Sequence, residues 1–266
     1  MRSLDVQSTN QRTRRTRQNE FTKRSSIDCG ATNMKRHQKD FLLHLLESGA
    51  IKFGEFRLKS GRVSPYFVNI AVAINTGRRA SETADAYVAE IIDGAVGTDF
   101  DYIHGPAYKG VPLSVMIAEK LWSRSRVQES GGIDLRWGYD RKEEKRYGDP
   151  PETRIVGDLR DGDSVLIVDD VIVTGKTKID NWAKLIDYRN LSPKGILVAV
   201  DRQEVDEGGN DTIEMLTKVG LTVYPILKIT EIFDYLLNRS VGGVVYVDDK
   251  IQAAFYEYFD RYGVTL

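Results

Sequence analysis

The chain has 266 residues, 41% hydrophobic and 29% charged, which excludes a mainly disordered or fibrous protein and leaves room for one large α/β domain or two small ones. Its 38 Lys and Arg balance 39 Asp and Glu, so no overall basic field draws in nucleic acid or anionic lipid, and neither a nucleic-acid nor a membrane partner is expected. The balance is uneven along the chain: residues 1–33 carry 7 basic and 3 acidic side chains, leaving 31 and 36 for residues 34–266.

Residues 1–33 read as a basic N-terminal extension, rich in Arg, Ser and Thr and without the apolar stretch of a secretory signal. An organelle presequence, a solvated tail and sequence upstream of a start at Met34 stay open as readings of it. It holds Cys29, the single cysteine, which excludes an intrachain disulfide and a cysteine-ligated zinc site and fits a reducing, cytoplasmic location.

Residues 34–266 read as the folded domain. Phe41, Leu42, Leu45 and Leu46 share one helix face that closes at Gly49. Residues 52–58 and 64–70 read as two strands around the basic turn Lys59-Ser60-Gly61-Arg62. Ala80, Ala84, Tyr87, Val88, Ile91 and Ile92 form a second helical stripe.

A regular alternation follows: strand Tyr102–His104, helix Val111–Leu121, strand Leu135–Tyr139, then a charged stretch over 140–163 with three glycines and two prolines and no periodicity, expected to be one long surface loop. Strand Val165–Val168, helix Lys176–Tyr188, strand Ile196–Val200, helix Ile213–Val219, strand Val223–Leu227 and helices near Ile229–Leu237 and Asp249–Tyr262 complete the chain. Strands apolar throughout and separated by helices predict a parallel sheet covered on both faces. The longest apolar runs fall far short of the ~20 residues a membrane helix needs.

The most informative segment is Val165–Thr177. A buried strand carries Asp169 and Asp170 to its C-terminal end, and a short loop with Thr174 and Gly175 opens a helix at Lys176 and Thr177. Open α/β sheets bind ligands at such an edge, and a helix N-terminus cradles anions. Carboxylates repel phosphate, so the ligand should offer hydroxyls to the acids and a phosphate to the loop, as a ribose 5-phosphate does. Two alternatives remain: the acids merely cap the helix, or Gly175-Lys176-Thr177 ends a nucleotide-binding P-loop. The second lacks its first glycine, because Asp170 stands there.

This segment resembles the phosphoribosyl diphosphate (PRPP) loop of type I phosphoribosyltransferases, and six further stretches narrow the resemblance to the orotate phosphoribosyltransferase family. They are residues 52–62, 64–69, Asn75-Thr76-Gly77-Arg78, Gly105-Pro106-Ala107-Tyr108-Lys109-Gly110, Arg141-Lys142-Glu143-Glu144-Lys145 and Asp201-Arg202-Gln203-Glu204, in family order across roughly residues 35–265. The resemblance implies an α/β fold, a parallel sheet flanked by helices with a small hood subdomain. It implies transfer of phosphoribose from PRPP to orotate, giving orotidine 5′-monophosphate and diphosphate in pyrimidine synthesis. A homodimer is implied, with a closing loop shared between subunits.

The implied cofactor is Mg²⁺, carried by PRPP oxygens rather than by protein ligands, with Asp169 and Asp170 reaching it only through water. Asp169 and Asp170 would face the ribose hydroxyls. Val171, Ile172, Val173, Thr174, Gly175, Lys176 and Thr177 would surround the 5′-phosphate, and Tyr108 and Lys109 the diphosphate. Orotate would meet Lys59, Phe67, Val68, Val173 and Arg202, with Lys59 also reaching PRPP. Arg141, Lys142, Lys145 and Tyr147 would come from the closing loop, whose cations answer the charge that develops on the leaving group.

Each position also has an ordinary reading. The loop run can be a solvated charged loop, Lys59 and Lys109 turn lysines, Phe67 a core aromatic, and Arg202 a salt-bridge partner of Glu204 or Asp201. The sequence departs from the family pattern in four places: Lys145-Arg146-Tyr147-Gly148 lacks the usual histidine, Asp149-Pro150-Pro151 replaces glycines, Val173 and Lys176 replace hydroxyl residues, and Val68 replaces a second Phe. Those departures keep two alternatives in play, transfer to another base and a non-catalytic PRPP sensor.

Overall fold

The computed structural model describes residues 34–126, 132–141, 154–172 and 175–265. Helix α1 (Arg36–Ser48) begins where Gln38 Oε1 accepts the Lys35 amide at 2.8 Å and ends at Gly49, whose φ of 72° turns the chain. A hairpin of β1 (Ile51–Arg57) and β2 (Val63–Val68) follows, then the short α2 (Ile70–Ala73) and α3 (Gly77–Ile92), whose N-cap Thr76 accepts from the Arg79 amide.

The main sheet is built from β3 (Tyr102–Gly105), β4 (Arg136–Asp140), β5 (Ile155–Gly157), β6 (Ser164–Ile172), β7 (Ser192–Asp201) and β8 (Val223–Lys228), in the order β5-β4-β3-β6-β7-β8. All neighbours run parallel except β5, which pairs antiparallel with β4 at the edge. The crossovers are α4 (Gly110–Ser125), α5 (Gly175–Tyr188) and α6 (Thr212–Lys218). After β8 come α7 (Ile229–Leu236), a hairpin of β9 (Ser240–Val241) and β10 (Val244–Val245), and α8 (Asp249–Tyr262).

The period of two in a strand explains the two cores. Leu166 and Val168 of β6 and Leu197 and Ala199 of β7 join the cluster that holds α1, α3 and α4, while Val165, Ile167, Ile196 and Val198 join Trp182, Leu185 and Leu216 of α5 and α6. This is a central parallel sheet flanked by helices, as the alternating pattern predicts.

Three expectations are corrected. The stretch 140–163 is not one loop, since the last residue of β4 and the whole of β5 fall within it, and residues 142–153 lie outside the described part. The sheet is not wholly parallel, because β5 turns back along β4. Three residues are too few to show a period, yet the pairing is specific: Gly138 and Gly157 stand opposite each other around the Tyr102 hydroxyl, and a Cβ on either would come within 2.4 Å of it. Lastly, β6 continues past Val168 to Ile172, because Val171 and Ile172 keep pairing with Val200 and Asp201 of β7.

The β1–β2 hairpin packs on the C-terminal segment through aromatic rings. Phe233 stacks on Phe255 at 3.8 Å and meets Phe53 and Tyr66 edge-on at 5.3 and 5.8 Å, while Tyr66 also meets Tyr258. No helix among the described residues is long and apolar enough to cross a membrane. Replacing the fully buried Phe233 with Ala should cost about 3–5 kcal/mol, read as a lowered urea midpoint at unchanged slope; a loss below about 1 kcal/mol would show that this cluster does not hold the hairpin.

Candidate active site at the sheet edge

Asp169 and Asp170 lie in the second half of β6, both buried. Adjacent strand residues face opposite ways, and the two carboxylates accordingly find different partners. Asp170 Oδ2 accepts from Lys109 Nζ at 2.5 Å on the side of α4, while Asp169 Oδ2 accepts from Lys178 Nζ in the first turn of α5. The Asp169 Oδ1 atom accepts the Asp170 amide at 2.8 Å, and the Tyr87 hydroxyl donates to the Asp169 carbonyl at 2.8 Å. Burial raises the pKa of Asp169 against the pull of Lys178, and the neighbouring Asp170 charge adds to the rise.

The turn after β3 carries Lys109 to this edge. Gly105 and Gly110 let it fold tightly, since a Cβ on Gly105 would sit 2.1 Å from the Gly110 carbonyl oxygen. The Ala107–Tyr108 peptide is cis, the Tyr108 residue is 68% exposed, and the Ala107 amide donates to Asp140 Oδ1 at 2.8 Å. Behind that carboxylate lies His104, fully buried, with Nε2 at 3.6 Å from Asp140 Oδ1. Burial pushes the Asp140 carboxyl up, and the His104 ring and the Ala107 amide outweigh it and hold it below the usual carboxylate range.

The longer β6 narrows the expected phosphate loop. Val171 and Ile172 belong to the strand, in register with Val200 and Asp201 of β7. Gly175 opens α5 buried, with Lys176 and Thr177 exposed beside it. The candidates Val173, Thr174, Lys142, Lys145 and Tyr147 lie outside the described residues. Arg141 lies at their margin, its amide donating to the Arg154 carbonyl at 2.8 Å.

A second group of candidates gathers around the hairpin. Lys59 is exposed in the turn, and Phe67, 38% exposed, stacks on Phe56 at 5.7 Å; Val68 is buried beneath. Arg202 is tied down: its Nε and Nη2 atoms donate to Glu204 Oε1 at 2.9 and 2.6 Å, and its guanidinium lies 4.5 Å from the Tyr66 ring centroid. Of the two ordinary readings of Arg202, the pairing with Glu204 is therefore present. Glu204 also accepts from the Tyr66 hydroxyl at 2.7 Å and pairs with Arg62 at 3.3 Å, so the turn holding Lys59 is bound to the end of β7. Asp201 stands opposite Ile172 in the pairing of β7 with β6, which puts both groups of candidates on one edge of the sheet.

Sequence reasoning missed Lys178, Tyr87, His104 and Asp140. For Lys178 a signal existed: with Trp182 and Leu185 it stands at i, i+4 and i+7 on the buried stripe of α5. The other three reveal themselves only through contacts between distant segments. Among the described residues no group of three or more His, Cys, Asp or Glu could hold a metal. Both aspartates are already paired with lysines.

The chain matches the phosphoribosyl transferase domain family over residues 73–205. It is 36% identical over 232 residues to the orotate phosphoribosyltransferase of Agathobacter rectalis, an alignment covering 86% of this chain and 99% of that one. The orotate phosphoribosyltransferase of Ruthia magnifica is 38% identical over 232 residues, covering 87% of this chain and 100% of that one. Among solved structures, the orotate phosphoribosyltransferase of Francisella tularensis superposes with a TM-score of 0.69 at 30% identity, covering 84% of this chain and 99% of that one.

Asp201, buried near Lys228 at the same edge, gives a pH test. Burial raises its pKa from 3.8 to about 6, more than the Gln203 amide and Lys228 lower it. The folded state therefore binds the extra proton, and stability falls as pH rises through this window, by up to about 3 kcal/mol for a shift of about two units. Asp201→Asn removes that term, so urea titrations should show the variant gaining on the wild type between about pH 4 and pH 7; equal slopes in pH would contradict the assignment.

Proposed function

The chain belongs to the orotate phosphoribosyltransferase family, and we propose that its sheet edge transfers phosphoribose from PRPP to orotate, giving orotidine 5′-monophosphate and diphosphate. The observation that carries this reading is the buried Asp169–Asp170 pair at the end of β6, just before the N-terminus of α5. Ionised, both acids accept hydrogen bonds from ribose hydroxyls, and amides at the start of α5 receive the 5′-phosphate with the positive end of the helix dipole behind them. Lys109 and the backbone of the turn 105–110 meet the diphosphate, and Asp140 steadies that turn through the Ala107 amide.

Bond cleavage at the ribose C1 leaves positive charge on the sugar and negative charge on diphosphate. Arg141, Lys142 and Lys145 supply cations to the leaving group, with Tyr147 as a hydrogen-bond donor in place of the family's histidine. Mg²⁺ bound together with the substrate would add charge neutralisation at the leaving group. Lys59 and Phe67 serve orotate, the ring by stacking and the lysine by its charge on the carboxylate, with Val68 and Val173 beside them. The active form is a homodimer in which each closing loop serves the partner's site.

One observation bears on a second base: Arg202 spends its Nε and Nη2 atoms on Glu204, so only its Nη1 end is left to meet orotate's carboxylate. A panel of pyrimidine and purine bases separates the readings. Orotate absorbance should fall only with both PRPP and Mg²⁺ present, and turnover of another base without orotate would overturn the first reading. Asp170→Asn should lower kcat/KM about 10- to 100-fold by weakening a charge-assisted acceptor. Lys145→Ala should lower kcat with less effect on the KM for orotate, and mixing it with an Asp170 variant should restore activity through hybrid dimers; no restoration would make each site self-contained.

A further inference from the structure

Helix α5 buries Lys178, Asn181, Trp182 and Leu185 along one stripe. A lysine on such a stripe ordinarily carries its ammonium out to water along its flexible stem. Lys178 instead stays enclosed, its side chain 9% exposed, and donates to Asp169 Oδ2. Asp169 Oδ1 is taken by the Asp170 amide at 2.8 Å. Both oxygens of the carboxylate are thus held and its plane is set, while lone pairs remain to accept from a ligand. Lys109 differs, since its side chain is 55% exposed and able to turn toward an incoming diphosphate.

We propose that Lys178 is a positioning residue for PRPP, holding Asp169 ionised and oriented as the acceptor of a ribose hydroxyl. The inference rests on the reading of this edge as a PRPP site. A buried carboxylate without a counter-charge takes up a proton and then offers a hydroxyl a donor where it needs an acceptor. A lysine that only fills the core would act through its stem, and one that positions Asp169 acts through its charge.

Two substitutions in the full-length protein separate these roles. Lys178→Met keeps the unbranched stem and removes the charge, and Lys178→Arg keeps the charge. Calorimetric titration with PRPP should show binding weakened about 10-fold or more in Lys178→Met and largely recovered in Lys178→Arg, with the KM for orotate changed less than about twofold. In an Asp169→Asn background, where no charge remains to hold, Lys178→Met should weaken binding no further. That background also keeps the comparison open should the single Met variant fail to fold. Wild-type affinity for PRPP in Lys178→Met, or an equal fall in the Asp169→Asn background, overturns the inference and leaves the proposed reaction standing. A wild type that binds no PRPP overturns both. Orotate consumption is read separately, so a wild type that binds PRPP and uses another base corrects the base alone.

Discussion

Two carboxylates adjacent in a buried strand impose a condition on everything around them. The strand's period of two sends Asp169 and Asp170 to opposite faces, so one cation cannot serve both. Each needs its own, and the parallel topology supplies them from the crossover on each side: Lys109 from the turn before α4, Lys178 from the first turn of α5. Both lysines sit at the N-terminal end of a helix, where the macrodipole disfavours a cation. They are tolerated there because the aspartates are close.

Glu204 plays the corresponding part for the hairpin. It takes the Tyr66 hydroxyl, Arg62 and Arg202 at once, and the rings of Tyr66 and Tyr262 lie against the two guanidiniums. A buried acid shared by two arginines and a phenol is satisfied only as a group, so removal of one member strands the others. The hairpin and the end of β7 are consequently one unit, and the exposed Lys59 and Phe67 are displayed from it.

Most of the fold was legible because long elements carry strong periods. The strand alternation and α8, with its Asp249–Tyr262 bounds, follow from apolar spacing alone. What escaped was short or dependent on partners: β5 has three residues, and the extension of β6 to Ile172 depends on pairing with β7. The site divides the same way. Asp169, Asp170 and Lys109 could be read from a motif, whereas Lys178 looked like any helix lysine until its stripe was seen to be buried. For Arg202 the pairing with Glu204 was among the readings open to it, yet only three-dimensional packing chooses between Glu204 and Asp201.

The bond from the Arg141 amide to the Arg154 carbonyl closes the last rung of the β4–β5 pairing. Residues 142–153 are therefore a segment of 12 residues whose two ends are already brought together by the sheet. Closure entropy grows only with the logarithm of length, about 0.6 kcal/mol for each doubling, and here the rung sets the span regardless of what lies between. A change in the length of that segment therefore leaves the register of β4 against β5 as it is: the frame of the sheet is indifferent to how much chain its edge strands are joined by.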